Sequence, residues 1–191
     1  MTTNRLEAFS DGVLAIIITI MVLEFHIPEG ATFQALLPLL PKFLSYLFSF
    51  IYVGIYWNNH HHLFQAIQLV NGRILLANLN LLFWISILPF ATAWMGEHHF
   101  GGNTVVLYGL VLFLSAISFY LLEKAAIQYE GPESKLSIAV RGHHKERISL
   151  LAYAAGIVLA FYYPIISLIL FYLTALIWFI PDKRIEKILI S

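Results

Sequence analysis

Apolar runs of about 20 residues, the length that a helix needs to cross a bilayer, follow one another along almost the whole chain. Little sequence is left between them. The 191 residues are 60% hydrophobic and only 12% charged, whereas a soluble globular chain is about 45–50% apolar and about 25% charged. A single soluble core of this size could not bury so much apolar surface. We therefore expect an all-α integral membrane protein with one domain over residues 1–191.

The apolar runs predict six transmembrane helices. Their approximate ranges are 5–27, 42–65, 72–95, 103–124, 148–163 and 164–180. Pro28 follows the first helix, and Pro89 lies inside the third. The last apolar stretch is too long for one comfortable span at about 1.5 Å per residue, and Pro164 divides it, because proline lacks a backbone donor and disfavours helix in the residue before it. A tight hairpin is predicted there, with one kinked helix as the alternative.

The basic residues lie on one side of the predicted bundle. With a cytoplasmic N-terminus, ten fall in inside segments and only Lys42 falls outside. The inside residues are Arg5, Arg73, Lys124, Lys135, Arg141, Lys145, Arg147, Lys183, Arg184 and Lys187. Because cytoplasmic segments carry the excess of positive charge, both termini are predicted to be cytoplasmic. The first span lacks a signal-peptide cleavage site after its apolar region, so we expect it to remain in the protein.

Charge and motif content argue against several functions. Eleven basic and eleven acidic residues balance, which gives no electrostatic footprint for nucleic acid. The chain has no cysteine and therefore no disulfide or thiolate metal site. His60, His61 and His62 point about 100° apart on a helix, so they do not converge on one ion. Phosphate-loop and nucleophile-elbow motifs are absent, and no enzyme activity, metal or cofactor is predicted.

Polar residues inside the predicted spans concentrate at the cytoplasmic end. Each is a candidate functional or structural position, because polar side chains are costly in a bilayer. They form three groups: Arg5, Glu7, Ser10 and Asp11 in the first helix, Trp57 to His62 in the second, and Asn71, Asn78 and Asn80 in the third. Since all three groups lie at the same end of the bundle, they could meet.

One stripe of the first helix combines apolar, small and hydroxyl side chains. At 100° per residue, four residues fall within about 60° of one another: Gly12, Ile16, Thr19 and Leu23. Asp11 lies nearly opposite, so it is expected to point into the bundle and to need a hydrogen-bonding partner such as His60 or Asn78. The stripe fits two roles, the lining of a pathway or ordinary helix packing through small residues.

Several motifs resemble a known channel family. Arg5-x-x-x-Phe9-Ser10-Asp11-Gly12 resembles the Arg-x-x-x-Phe-Ser-Asp signature of the potassium channel family named after transmembrane protein 175. Trp57-x-x-His60 leading to Leu63-Phe64, Asn80-Leu81-Leu82 and Leu88-Pro89-Phe90 are also similar to that family. Animal members join two six-helix repeats in one chain, whereas this chain has one, like the prokaryotic members, which are homotetramers.

The resemblance implies a potassium channel, modestly selective over sodium, in the plasma membrane of a prokaryote. Four first helices would line a central pore around the permeant K⁺, without a carbonyl filter. The signature implies a hydrophobic constriction at Ile16, a hydroxyl layer at Thr19 and a second apolar layer at Leu23, with Gly12 on the same stripe.

The resemblance also implies a network that couples the first three helices. Its members in this sequence are Arg5, Phe9, Ser10, Asp11, Trp57, His60, Asn78 and Asn80. His62 departs from the family, where arginine is more frequent.

Two other functions remain as alternatives. In a proton-coupled small-solute transporter, Asp11, the histidines and Glu24 would carry protons. The clustering of the polar groups at one end argues against it, because a relay would cross the midplane. The third possibility is a non-conducting scaffold subunit.

Overall fold

Helices account for most of the described chain. The computed structural model describes residues 3–67, 69–140 and 145–179. Its α-helices are α1 Thr3–Leu23, α2 Leu40–Ala66, α3 Gly72–Ser86, α4 Leu88–Glu97, α5 Gly102–Glu130, α6 Lys135–Val140, α7 Lys145–Ala160 and α8 Pro164–Phe179, and a 3-10 helix, Phe33–Leu39, precedes α2. Within the described residues, four apolar segments are long enough to cross a membrane: Thr3–Leu23, Phe33–Ala66, Gly72–Glu97 and Gly102–Glu130.

The observed helix ends differ from the predicted ones by several residues. α1 ends at Leu23, before the predicted end near Ile27, and α5 runs to Glu130 instead of stopping near Lys124. Hydropathy marks where a helix leaves the apolar layer, but backbone hydrogen bonding continues until a residue breaks it. Gly131 does so after α5, with φ of 96°, a left-handed conformation that glycine adopts without a steric penalty.

The third apolar run consists of two helices. α3 ends at Ser86 and α4 begins at Leu88, so the helix predicted over 72–95 is interrupted at Ile87. Pro89 lies in the first turn of α4, where its missing N–H costs no hydrogen bond. In an uninterrupted helix that N–H would have to bond the carbonyl four residues earlier, which proline cannot do.

The last apolar stretch forms two antiparallel helices. α7 ends at Ala160, and Pro164 begins α8 after a short turn. Trp178 Nε1, near the end of α8, donates to Ser149 Oγ, near the start of α7, at 2.8 Å. Contacts that pair the start of one helix with the end of the next define a hairpin, so the kinked-helix alternative does not apply.

The ring of Phe171 fixes the packing of this hairpin on α5. It is fully buried and lies against Gly109 of α5 and Gly156 of α7, so closely that a Cβ on Gly109 would fall 2.5 Å from Phe171 Cζ. Two glycines therefore let three helices approach around one aromatic ring. Helices α3 and α4 also pack against α5, and α1 packs against α2, α3 and α4.

Candidate functional site

Helix α1 presents one buried and one exposed face. Its buried residues are Leu6, Ser10, Leu14, Ile17 and Met21. The stripe residues Gly12, Ile16, Thr19 and Leu23 are all exposed, with Ile16 at 58% and Leu23 at 77% of their full accessible surface. The stripe therefore has no partner within the described protomer and is free to meet water, lipid or another copy of the chain.

Thr19 is the polar side chain in the middle of this stripe. Its Oγ1 donates a hydrogen bond to the Ile16 carbonyl within the same helix, at 2.8 Å. Because the hydroxyl hydrogen is used in that bond, the remaining lone-pair density of Oγ1 is available to an external group. A hydroxyl in this state can accept a hydrogen bond or contact a cation.

An open groove of about 720 Å³ runs beside the stripe. Ile16 and Ile20 of α1 form one wall, and Phe90 and Trp94 of α4 form the other. Glu24 and Glu97 lie in the same groove. Its apolar walls are suited to a helix from outside the protomer.

A buried chain of hydrogen bonds links α2, α3 and α1. His60 Nε2 donates to Asn78 Oδ1 at 2.8 Å, and Asn78 Nδ2 donates to Ser10 Oγ at 2.9 Å. Ser10 Oγ in turn donates to the Leu6 carbonyl at 2.9 Å. His60, Asn78 and Ser10 are at most 1% exposed, so each bond replaces a hydrogen bond to water that burial has removed. Three residues proposed from the sequence thus meet in one network.

Asp11 does not bond to either of its expected partners. Both Asn78 polar atoms are taken by His60 and Ser10, because Ser10, one residue before Asp11, occupies the position facing α3. Within the described residues, Asp11 Oδ1 is buried without a hydrogen-bond partner, and so is His60 Nδ1. The hydrogen bond proposed for Asp11 is therefore absent from this part of the chain.

A second contact joins α1 and α2 at the same end. Glu7 Oε1 accepts from His61 Nδ1 at 2.5 Å, and Gln65 Nε2 donates to His61 Nε2 at 2.7 Å. These two partners fix the tautomer of His61, and Trp57 stacks on its ring with centroids 6.2 Å apart. Sequence reasoning grouped Glu7 with Asp11 but did not assign this contact. The spacing of Glu7 in the sequence could have indicated the contact, because it places Glu7 on the same helical face as Ser10 and Asp11.

The other predicted network residues lie outside the buried chain. Asn80 Nδ2 donates to Ser118 Oγ at 2.7 Å, so Asn80 connects α3 to α5 and not to α1 or α2. Arg5 is exposed, and Phe9 is 53% exposed. In the protomer, these two side chains belong to the unpartnered face of α1.

Comparison with known proteins identifies relatives of this chain. The sequence profile of the family described as endosomal/lysosomal potassium channel TMEM175 matches residues 5–89, which include most of α1, all of α2 and α3, and the His60–Asn78–Ser10 chain. A protein from Chryseobacterium sp. (strain P1-3) that is named a potassium channel is 60% identical over 187 residues, covering 98% of this chain and 97% of its own.

More distant similarity extends to animals and to a solved structure. A Gallus gallus protein named endosomal/lysosomal proton channel TMEM175 is 28% identical over 193 residues, which cover 93% of this chain but only 37% of that protein. The crystal structure of a lysosomal potassium-selective channel TMEM175 homolog from Chamaesiphon minutus matches with a TM-score of 0.82 and 27% identity, covering 94% of this chain and 97% of that one. This chain is a multi-pass helical membrane protein that belongs to the TMEM175 family.

Proposed function

We propose that this chain is a potassium channel whose pore is lined by α1 from four identical copies. The observation that carries the proposal is the unpartnered stripe of α1, on which Thr19 stands between Ile16 and Leu23. The Chryseobacterium relative is named a potassium channel and the Chamaesiphon structure a potassium-selective channel homolog, which supports potassium as the ion. These names also favour a channel over an enzyme.

A homotetramer turns the exposed stripe into a pore lining. Closed assemblies of identical subunits form around a rotation axis, and a fourfold axis alongside α1 would bring four stripes together. The groove between α1 and α4 supports such contacts, because its apolar walls remain uncovered in one protomer. A methyl group added at Gly12 would meet no atom within 4 Å, so this part of α1 leaves space for a close neighbour.

Ile16 is the proposed constriction. Four isoleucine side chains around an axis would exclude water and form a hydrophobic neck, which gates by dewetting. Leu23 would form a second apolar layer nearer the outer end. Conduction then requires that the neck widen or become hydrated, and a polar side chain at Ile16 should favour the hydrated state.

Thr19 is the proposed selectivity layer. Its hydroxyl hydrogen is bonded to the Ile16 carbonyl, so four Oγ1 atoms would present lone pairs to an ion on the axis. Potassium is cheaper to dehydrate than sodium, and partial replacement of its water shell by four hydroxyls favours it. Flexible side-chain oxygens discriminate less sharply than a carbonyl cage, so the selectivity over sodium is modest.

The network at the other end of α1 would hold the pore helix in place. The His60–Asn78–Ser10 chain and the Glu7–His61 contact tie α1 to α2 and α3. These bonds lie on the face of α1 opposite the stripe. Their proposed role is to fix the rotation of α1, which decides whether Ile16 and Thr19 face the axis.

The proposed topology has six membrane crossings and cytoplasmic termini. α7 and α8 have 16 residues each and are about 24 Å long, shorter than the roughly 30 Å apolar layer. As a hairpin they can cross as a pair with some local thinning of the bilayer. The distribution of lysine and arginine supports the cytoplasmic location of both termini in the plasma membrane.

Potassium flux into proteoliposomes tests the function. We expect uptake by the wild-type chain, faster uptake by Ile16→Asn, and slower uptake of sodium by both. Val22→Asn is the matched control: it puts the same side chain on another exposed position of α1, 47% accessible, away from the stripe. It should leave the rate near that of the wild type.

Four results would contradict the proposal. Absence of potassium flux in folded wild type and in Ile16→Asn would exclude a potassium channel. Equal acceleration by Ile16→Asn and Val22→Asn would remove Ile16 from the pathway. Proton uptake coupled to a solute, followed with an internal pH dye, would favour the transporter alternative, and proton uptake without a solute would move this chain towards the function named for the animal relative.

A further inference from the structure

A partly open cavity separate from the proposed pore is lined largely by aromatic side chains. It lies between α2, α5, α7 and α8 and has a volume of about 40 Å³, which is room for about three water molecules. Its aromatic lining consists of Tyr52, Tyr56, Phe119, Tyr153 and Trp178. All four of these helices thus contribute aromatic rings to one small space.

These rings are held in fixed positions relative to one another. Phe119 packs against Tyr56 with ring centroids 6.3 Å apart at 59°, and against Trp178 at 6.2 Å and 74°. The indole N–H of Trp178 is anchored by its bond to Ser149. Tilted rings around a small space form a cage, and the faces of such rings attract cations.

An acidic side chain completes the lining. Glu146, in the first turn of α7, borders the cavity. Glu123 of α5 is only 9% exposed, and Glu146 lies close enough to act on it electrostatically. Lys145 and Arg147 flank Glu146 in sequence, but among the described residues the ion pairs do not include either carboxylate. The Glu146 carboxylate, which borders the cavity and lies outside those ion pairs, favours a cation in the space beside it.

We propose that this cavity binds an organic ammonium group of the methylated, quaternary type. Glu146 would balance the charge, and the aromatic rings would surround the methyl groups. A primary ammonium carries three N–H donors that each need an acceptor, whereas a quaternary ammonium needs none. Aromatic cages are suited to such a weakly hydrated cation, and the small volume limits the ligand to a compact head group.

The site is tested by titrating the purified full-length protein with tetramethylammonium chloride and measuring the heat of binding. We expect saturable binding, and none from tert-butanol at the same concentrations, because tert-butanol has a similar size and no charge. Phe119→Leu, which replaces an aromatic ring with an aliphatic side chain, should weaken binding roughly tenfold. Phe113→Leu, on the same helix and outside the cavity lining, should leave the affinity unchanged.

Glu146 provides a second and milder test. Glu146→Gln keeps the size of the side chain and should also weaken binding on the order of tenfold, while Glu133→Gln, at an exposed position after α5, should not. Glu146 is only half-buried, so this variant remains informative even if Phe119→Leu does not fold. The proposal is overturned if folded wild type shows no saturable binding or if neither cavity variant changes the affinity. It is also overturned if Ile16→Asn abolishes binding and the cavity variants do not, since tetramethylammonium would then occupy the pore.

The same titration distinguishes two sources of the ammonium group. In nanodiscs of phosphatidylcholine, a choline head group that occupies the cavity would compete with tetramethylammonium and raise its apparent Kd relative to nanodiscs of phosphatidylglycerol. Equal Kd values in the two lipids would assign the site to a free solute. Both results support an ammonium site and differ only in the origin of its ligand.

Discussion

His60 Nε2 and Asn78 Oδ1 lie 2.8 Å apart in the interior of the protomer, and this bond joins the second apolar segment to the third. Because Asn78 also donates to Ser10 at 2.9 Å, a single amide side chain connects three helices. Removing the amide would leave the buried His60 N–H without a partner. Leaving one buried partner unpaired costs more free energy than replacing both partners by apolar groups.

Asn78→Leu is therefore expected to destabilise the protein by about 2 kcal/mol. This value lies within the roughly 1–3 kcal/mol for leaving a buried polar group unpaired and is somewhat above the about 0.6 kcal/mol average for one interhelical bond in a membrane protein. Denaturation in mixed micelles, followed by circular dichroism, measures it. Asn103→Leu, at an exposed position near the start of α5, is the control, and equal losses in the two variants would show that the Asn78 bonds contribute nothing specific.

Asp11→Asn is expected to weaken assembly of the tetramer. Within the described protomer, Asp11 Oδ1 is buried and lacks a partner, so a partner supplied by a second copy would account for a carboxylate in this position. Native mass spectrometry in detergent measures the tetramer fraction, with Glu133→Gln, at an exposed position after α5 and outside the α1–α4 groove, as the control. A stable Asp11→Asn tetramer with normal potassium flux would contradict the anchoring role.

The stripe of α1 was predictable because it depends only on helical geometry. Gly12, Ile16, Thr19 and Leu23 share one face whatever the helix packs against, and the structure leaves that whole face exposed. The partner of Asn80 was not predictable, because it depends on which helix lies beside α3. The sequence places Asn80 near other polar residues of the predicted network. In the structure, however, α3 packs extensively on α5, and Asn80 donates its hydrogen bond to Ser118 of α5.

The hydrogen bond predicted for Asp11 is absent among the described residues for a related reason. Ser10 and Asp11 are adjacent, so their side chains point about 100° apart, and both were candidates to meet α2 and α3. A small rotation of α1 decides which of them meets Asn78. That rotation is set by burial of Leu6, Leu14 and Ile17, a packing preference that polar motifs alone do not reveal.

Gly156→Ala is expected to destabilise the α7–α8 hairpin by about 1–3 kcal/mol, the usual cost of overpacking. A Cβ at this position would collide with the fully buried ring of Phe171, which also contacts Gly109 and so has little room to move. Gly54→Ala is the matched control, since nothing lies within 4 Å of its Cβ position in the middle of α2. It should stabilise the protein by up to about 1 kcal/mol through helix propensity. Thermal unfolding of both variants tests the difference, and equal shifts in Tm would show that the contact with Phe171 is not tight.

Thr19→Val is expected to reduce selectivity for potassium over sodium while leaving potassium flux close to the wild-type rate. Valine has nearly the shape of threonine, so the width of the proposed pore is preserved. The Oγ1 lone pairs, which the bond to the Ile16 carbonyl leaves available, are lost. Thr19→Ser keeps the hydroxyl and should retain the selectivity. Reversal potentials in planar bilayers with potassium on one side and sodium on the other measure the ratio directly. If Thr19→Val and Thr19→Ser both keep the wild-type reversal potential, the hydroxyl layer does not discriminate between the ions, and selectivity must arise from dehydration at the Ile16 neck.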